Sequence, residues 1–417
     1  MRRIVIKGGN RLTGTIRVKG AKNAVLPILG ASLLCPGVSI IRDVPRLRDV
    51  EVMLRVLEHL GAQVEWRDGV LAVDASRVKP LDGSEELMRR LRASNLVLGP
   101  LLGRFGRVRI SQPGGCNIGS RPMDLHIKGL RVLGARVSEK RGYITASASE
   151  LVGGEVHLDV PSVGATENIM MAATLARGTT VIRNAAKEPE IVDLQNFLNK
   201  AGAKIRGAGT GEIKIVGVKE LVPCDHSLIP DRIEAGTNLV AAAITRGDVT
   251  VTNVIPEHVE PVIAKLREAR VDVTVTSDTI RVRAPERPKA VDIKTMPYPG
   301  FPTDMQPQMM AFACLSSGTT VITETIFENR FKHVPELRRM GARIHIEGQT
   351  AIIHGVAKLF GTHVQATDLR AAAALVLAGL AADNTTVVED PGHLNRGYED
   401  LVNRYKALGA DIEVEED

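Results

Sequence analysis

The 417-residue chain is 44% apolar and 24% charged, with a formal net charge of +6. It is too long for one ordinary core, so two domains are expected. Aromatic residues at 3% speak against a stacking platform for single-stranded nucleic acid, and scattered basic residues suit an enzyme of anionic ligands at least as well as a polyanion binder. The cysteines, at 35, 116, 224 and 314, form no close pair. Neither a metal site nor a disulfide framework is expected, and a reducing, cytoplasmic setting is. Met1 to Ile6 read as a short strand rather than a signal peptide, and the longest apolar helix, about Leu369 to Ala382, is too short to span a bilayer. No P-loop, dinucleotide fingerprint or zinc spacing is present.

In chain order the elements repeat. Six times a small turn residue leads into a β-branched strand: Gly37–Ile41, Gly106–Ile110, Gly178–Ile182, Gly247–Val251, Gly318–Ile322 and Asn384–Val388, at intervals of 69, 72, 69, 71 and 66 residues. An amphipathic helix follows each strand and ends at a turn with Gly61, Gly134, Gly202, Gly341 or Gly409; the fourth copy has Arg270 instead. The first of these helices places Val50, Met53, Leu54, Leu57 and Leu60 on one face. Before each strand lies a helix apolar almost all round, such as Asn23–Leu34, Gly164–Ala176 and Asp304–Ser316, which must be internal. An α/β protein of two domains, each with three units, is the expectation.

The inner helices start at Lys22-Asn23, Arg92, Ser162-Val163-Gly164, Asp231-Arg232, Thr303-Asp304 and Asp368-Leu369-Arg370. Helix N-termini attract anions, and these six ends would converge if the domains face each other. An aspartate there is ordinarily an N-cap; a lysine or arginine opposes the dipole, a conflict that an anionic ligand would resolve. Between Pro113 and Pro122 lies a glycine-rich flap with the thiol of Cys116 and the guanidinium of Arg121, a cation that favours the thiolate. Asp304 reads as a cap or a general base, and Arg396 as a surface ion pair or a ligand group. Cys35, Cys224 and Cys314 read as structural, and Met170, Met171, Met309 and Met310 as core.

With Lys22-Asn23, the Cys116 flap, Ser162 to Thr166, Pro302 to Gln306 and Asn395 to Tyr398 all in order, the chain resembles the UDP-N-acetylglucosamine 1-carboxyvinyltransferases over essentially its whole length. These are enolpyruvyl transferases that open peptidoglycan precursor synthesis. The resemblance implies two inside-out α/β barrel domains, each of three pseudo-symmetric repeats. One is 22–229 with the Cys116 flap; the other is 1–21 plus 230–417 with Asp304, Arg370 and Arg396. It implies transfer of the enolpyruvyl group of phosphoenolpyruvate to the 3-hydroxyl of UDP-N-acetylglucosamine, with no metal or organic cofactor and neither nucleic acid nor membrane as partner.

The same resemblance implies the site. Lys22, Arg121 and Arg396 would hold the phosphate and carboxylate of phosphoenolpyruvate, with Asn23, Arg92 and Arg370 supporting the anionic pocket and sugar. Arg121, Pro122, Met123, Asp124 and Leu125 would cradle the nucleotide with Ser162, Val163 and Gly164, while Asp304 and Ile326 would contact the sugar side. Val160-Pro161 stands where some relatives carry a lysine. Cys116 would protonate the methylene carbon and Asp304 take the hydroxyl proton, with a covalent Cys116 adduct as the alternative. The nearest rival acceptor is shikimate 3-phosphate, whose transferases lack the Gly-Gly-Cys flap.

Overall fold

The computed structural model describes residues 2–79, 92–111, 119, 123–284 and 286–416. The chain forms two compact units, one of Gly20–Cys116 and Arg121–Ile229, the other of Met1–Lys19, Asn117–Ser120 and Pro230–Asp417. Three sheets are described in each.

One plan recurs in four of the described sheets. The strand after the repeated turn pairs antiparallel with the far strand of a hairpin and parallel with a short strand from elsewhere. Thr179–Arg183 lies between Glu212–Val216 and Glu155–His157 in this way, and Thr319–Thr323 between Thr350–His354 and Ile293–Lys294. Alternate residues turn inward, so Thr320 and Ile322 are buried while Thr319 is exposed. The first unit borrows Asp225–Ser227 as the parallel neighbour of Val38–Arg42, and the second borrows Thr13–Arg17 as that of Asp248–Thr252. In the sixth repeat Arg2–Lys7 runs antiparallel between Thr385–Glu389 and Asp411–Glu416.

The helices Lys22–Ser32, Val163–Ala173, Arg232–Ile244, Gln306–Leu315 and Leu369–Ala381 bury nearly every side chain, as their all-round apolar pattern requires. The last three touch one another within their unit. Met170, Met171, Met309 and Met310 are wholly buried in the two cores. The outer helix Arg48–His59 buries Val50, Met53, Leu54 and Leu57, and Asp49 with them. Among the described residues no helix is long and apolar enough to cross a membrane.

Two helix starts differ from expectation. Asp304 lies in a 3-10 turn, Thr303–Met305, and the α-helix begins only at Gln306. Pro307, in the first helical turn, has no amide to offer and none is needed there. Arg92 likewise opens a 3-10 helix, Arg92–Val97, ahead of the α-helix Leu98–Phe105.

Two glycines show how closely the repeat packs. A Cβ on Gly217 would lie 1.6 Å from the carbonyl oxygen of Ala176, and one on Gly355 1.8 Å from that of Ser316. Their amides donate to the carbonyls of Gly178 and Gly318 at 2.9 and 3.0 Å. Backbone meets backbone here, and neither side can step aside. Gly355→Ala should therefore destabilise the protein by about 2–3 kcal/mol, seen as a lowered thermal midpoint; an unchanged midpoint would show that the contact yields freely.

Candidate active site

Asp304 is the centre of a charge cluster. Its Oδ1 accepts from Arg330 Nη2 at 2.9 Å and its Oδ2 from Arg370 Nη2 at 3.0 Å. The arginine side chains are 3% and 4% exposed, the aspartate 27%. Burial opposes the charge on Arg370, but Asp304, Tyr398 and Asp231 together outweigh it and hold its pKa above the ordinary value. Arg370 Nη1 also donates to Tyr398 Oη at 3.2 Å, and that hydroxyl shares hydrogen bonds with Thr237 and Gln308. Arg396, half-buried, ends the 3-10 helix Pro391–Arg396, two residues before Tyr398.

Ile326 is tied to this cluster through Glu324, whose carboxylate accepts from the amide of Ile326 and from the hydroxyl of Thr303. Sequence reasoning missed Glu324 and Arg330. Glu324 had a signal: it continues the inward alternation of Thr320 and Ile322, where a glutamate is unexpected. Arg330 had none, lying in the irregular stretch after the strand.

In the other unit Lys22 Nζ lies 3.0 Å from Asp49 Oδ2, with side chains 12% and 4% exposed. Lys22 opens its helix, with no side-chain cap and no acid in the first turn. The conflict between cation and dipole at Lys22 and Arg370 is thus met by protein carboxylates, Asp49 and Asp304, and not by a ligand alone. Asn23, beside Lys22, is half-buried.

Ser162 caps Val163–Ala173, accepting from the amide of Ala165 at 3.4 Å, and Val163 is 37% exposed. A Cβ on Gly164 would lie 3.1 Å from the ring of His126, in the helix Asp124–Val132. Asn168 binds His126 Nδ1 at 3.1 Å and the carbonyl of Asn95 at 3.2 Å, and Asn95 Nδ2 donates to the sulfur of Met123 at 3.2 Å. His126, next to Leu125, is thus brought beside Gly164, and Met123 is joined to the same helix through Asn95 and Asn168. Cys116, Arg121, Pro122 and the side chain of Arg92 lie outside the described residues. Burial pushes the thiols of Cys35 and Cys314 up to about 12 and raises that of Cys224, which makes all three poor nucleophiles.

Known proteins give this arrangement a class. The enolpyruvyl transferase NikO from Streptomyces tendae superposes with a TM-score of 0.89 at 26% identity, covering 99% of this chain and 98% of that one. An EPSP synthase from Acinetobacter baumannii superposes with a TM-score of 0.77 at 19% identity, covering 100% of both. The α/β fold is therefore that of these transferases. A family model for EPSP synthase (3-phosphoshikimate 1-carboxyvinyltransferase) matches residues 6–405, and the chain belongs to this enolpyruvyl transferase family. Among curated relatives, UDP-N-acetylglucosamine 1-carboxyvinyltransferase 1 of Carboxydothermus hydrogenoformans is 57% identical over 412 residues, 99% of this chain and 98% of the relative. The corresponding enzyme of Geobacter metallireducens is 52% identical over 412 residues, 99% of each.

Behind Arg330 lies His333, wholly buried. Burial pushes its pKa down to about 4; the Asp368 carboxylate acts the other way and the Arg330 charge adds to the fall. The unfolded chain then binds the proton more readily, so the stability held above about 6.5 is lost as pH falls through about 4. Glu234, which burial pushes up to about 7 against the pull of Arg404, has the opposite slope. Comparing His333→Leu with the parent isolates the histidine: the variant's thermal midpoint should fall less between pH 7 and pH 4.5. Parallel curves would refute this account.

Proposed function

We propose that the chain transfers the enolpyruvyl group of phosphoenolpyruvate to the 3-hydroxyl of UDP-N-acetylglucosamine and releases phosphate, the first step of peptidoglycan precursor synthesis. One observation carries the reading: 52–57% identity over 99% of the chain to enzymes bearing that activity in their names. The retention of Cys116 between Gly114-Gly115 and Arg121 supports this acceptor over shikimate 3-phosphate.

The chemistry assigns work to the residues. In the addition step the methylene carbon gains a proton, the sugar oxygen bonds to the neighbouring carbon, and the hydroxyl proton leaves. In the elimination step the carbon–oxygen bond to phosphate breaks, the methyl carbon returns a proton, and the double bond reforms. Cys116 gives and recovers the proton at the methylene carbon, or its sulfur bonds to the neighbouring carbon of phosphoenolpyruvate once the methylene carbon is protonated, and Asp304 takes the hydroxyl proton. Lys22, Arg121 and Arg396 neutralise the phosphate and carboxylate as charge moves onto the leaving group. Asn23, Arg92 and Arg370 support the anionic pocket and sugar. Arg121 to Leu125 and Ser162 to Gly164 hold the nucleotide, and Ile326 the sugar. These residues would be carried on two inside-out barrel domains, 22–229 and 1–21 plus 230–417, in a cytoplasmic enzyme without metal or organic cofactor.

Phosphate release from phosphoenolpyruvate should occur with UDP-N-acetylglucosamine and not with shikimate 3-phosphate. Release only with the second would overturn the reading. Cys116→Ala should lower turnover by at least about a hundredfold, and an enolpyruvate-mimicking epoxide such as fosfomycin should alkylate the parent thiol. Full activity of that variant would remove Cys116 from the mechanism.

A further inference from the structure

Glu324 follows the strand Thr319–Thr323, and only 1% of it is exposed. Its Oε1 accepts from Thr295 Oγ1 at 2.9 Å, from the amide of Ile326 at 2.9 Å and from that of Phe327 at 3.2 Å. Its Oε2 accepts from Thr303 Oγ1 at 2.9 Å. All four donors are uncharged. A buried carboxylate without a cation beside it is costly, and packing alone would favour an apolar side chain.

The two ends of this carboxylate explain its presence. One holds the backbone at Ile326 and Phe327; the other holds Thr303, the residue before Asp304. A glutamine has one acceptor oxygen, so it could keep Ile326 and Phe327 only by turning its amide nitrogen toward Thr303 and reversing that hydrogen bond. Arg330 completes the frame by donating to Asp304 Oδ1 at 2.9 Å, so the turn Thr303–Met305 is held at its side chain on one flank and at its carboxylate on the other. Thr325 joins too, its amide donating to Thr295 Oγ1 at 2.8 Å.

We infer that Glu324 is a positioning residue for the acceptor sugar: it fixes in one frame the turn that aims Asp304 and the backbone that presents Ile326. This rests on the reaction proposed above, and deepens it by separating a frame for the acceptor from the groups that bind phosphoenolpyruvate.

The test is a comparison of kcat and of KM for each substrate in Glu324→Gln and Thr303→Val. Glu324→Gln should lower kcat/KM for UDP-N-acetylglucosamine by about tenfold to a hundredfold, as loss of alignment does, with KM for phosphoenolpyruvate changed less than about threefold. Thr303→Val, which removes one donor only, should show a smaller loss of the same kind, about fivefold, at a thermal midpoint close to the parent's. Should Glu324→Gln fail to fold, Thr303→Val alone decides. Values within twofold of the parent, or a KM for phosphoenolpyruvate raised more than about threefold, would overturn the inference. Failure of the functional reading has a different signature, no turnover of the parent with UDP-N-acetylglucosamine. The same split is then required with shikimate 3-phosphate, and its absence there overturns the inference as well.

Discussion

A guanidinium cannot shed its proton in a protein interior, so a buried arginine obliges the fold to supply an anion. Arg330 and Arg370 impose that demand together, and Asp304 answers both. The consequences spread through the unit. Arg370 reaches Tyr398, whose hydroxyl joins Thr237 and Gln308. Arg370 and Gln308 lie in the first turn of their helices and Thr237 near the middle of its own, so one polar network joins Arg232–Ile244, Gln306–Leu315 and Leu369–Ala381. Apolar faces alone could slide along one another; a satisfied network of hydrogen bonds sets a single register.

Much of this was legible in the sequence because it is written in local signals. A turn glycine, or Asn384 in the sixth copy, marked the β-branched strand of each repeat, and all-round apolarity marked the inner helices. Lys22 and Arg370 stood out because a cation at a helix start opposes the dipole, whereas Asp304 read equally as a cap or a general base. What stayed hidden was the identity of their partners. Asp49 occupies the apolar face of its helix, one turn before Met53, and only the tertiary structure shows that it is there to meet Lys22. Arg330 lies in irregular chain where no periodicity applies. The 3-10 turn Thr303–Met305 was not legible, since apolar periodicity marks that a helix is present but not whether its first turn is α or 3-10.

The repeat itself is held by backbone at its tightest points. Gly217 and Gly355 occupy matching places in different units and approach matching carbonyls, although the helices around them differ in sequence. Contacts between main chains constrain the glycines and little else. Neighbouring side chains are then free to differ between these two copies; in three others the matching amide, of Ala75, Ala148 or Ala284, donates to its turn glycine without a glycine at that place.

The pairing of the earliest strands has a consequence for assembly. Among the described residues, Thr13–Arg17 pairs with Asp248–Thr252 alone, and Arg2–Lys7 with Thr385–Glu389 and Asp411–Glu416. During synthesis these strands emerge well before their partners, while the intervening Gly20–Ile229 stretch already contains the contacts of its own unit. That unit can condense first, with two unpaired strands waiting upstream of it. Their edges stay open to wrong pairing until more than two hundred further residues have been made. The order of the chain makes the second unit the later and more vulnerable one to complete.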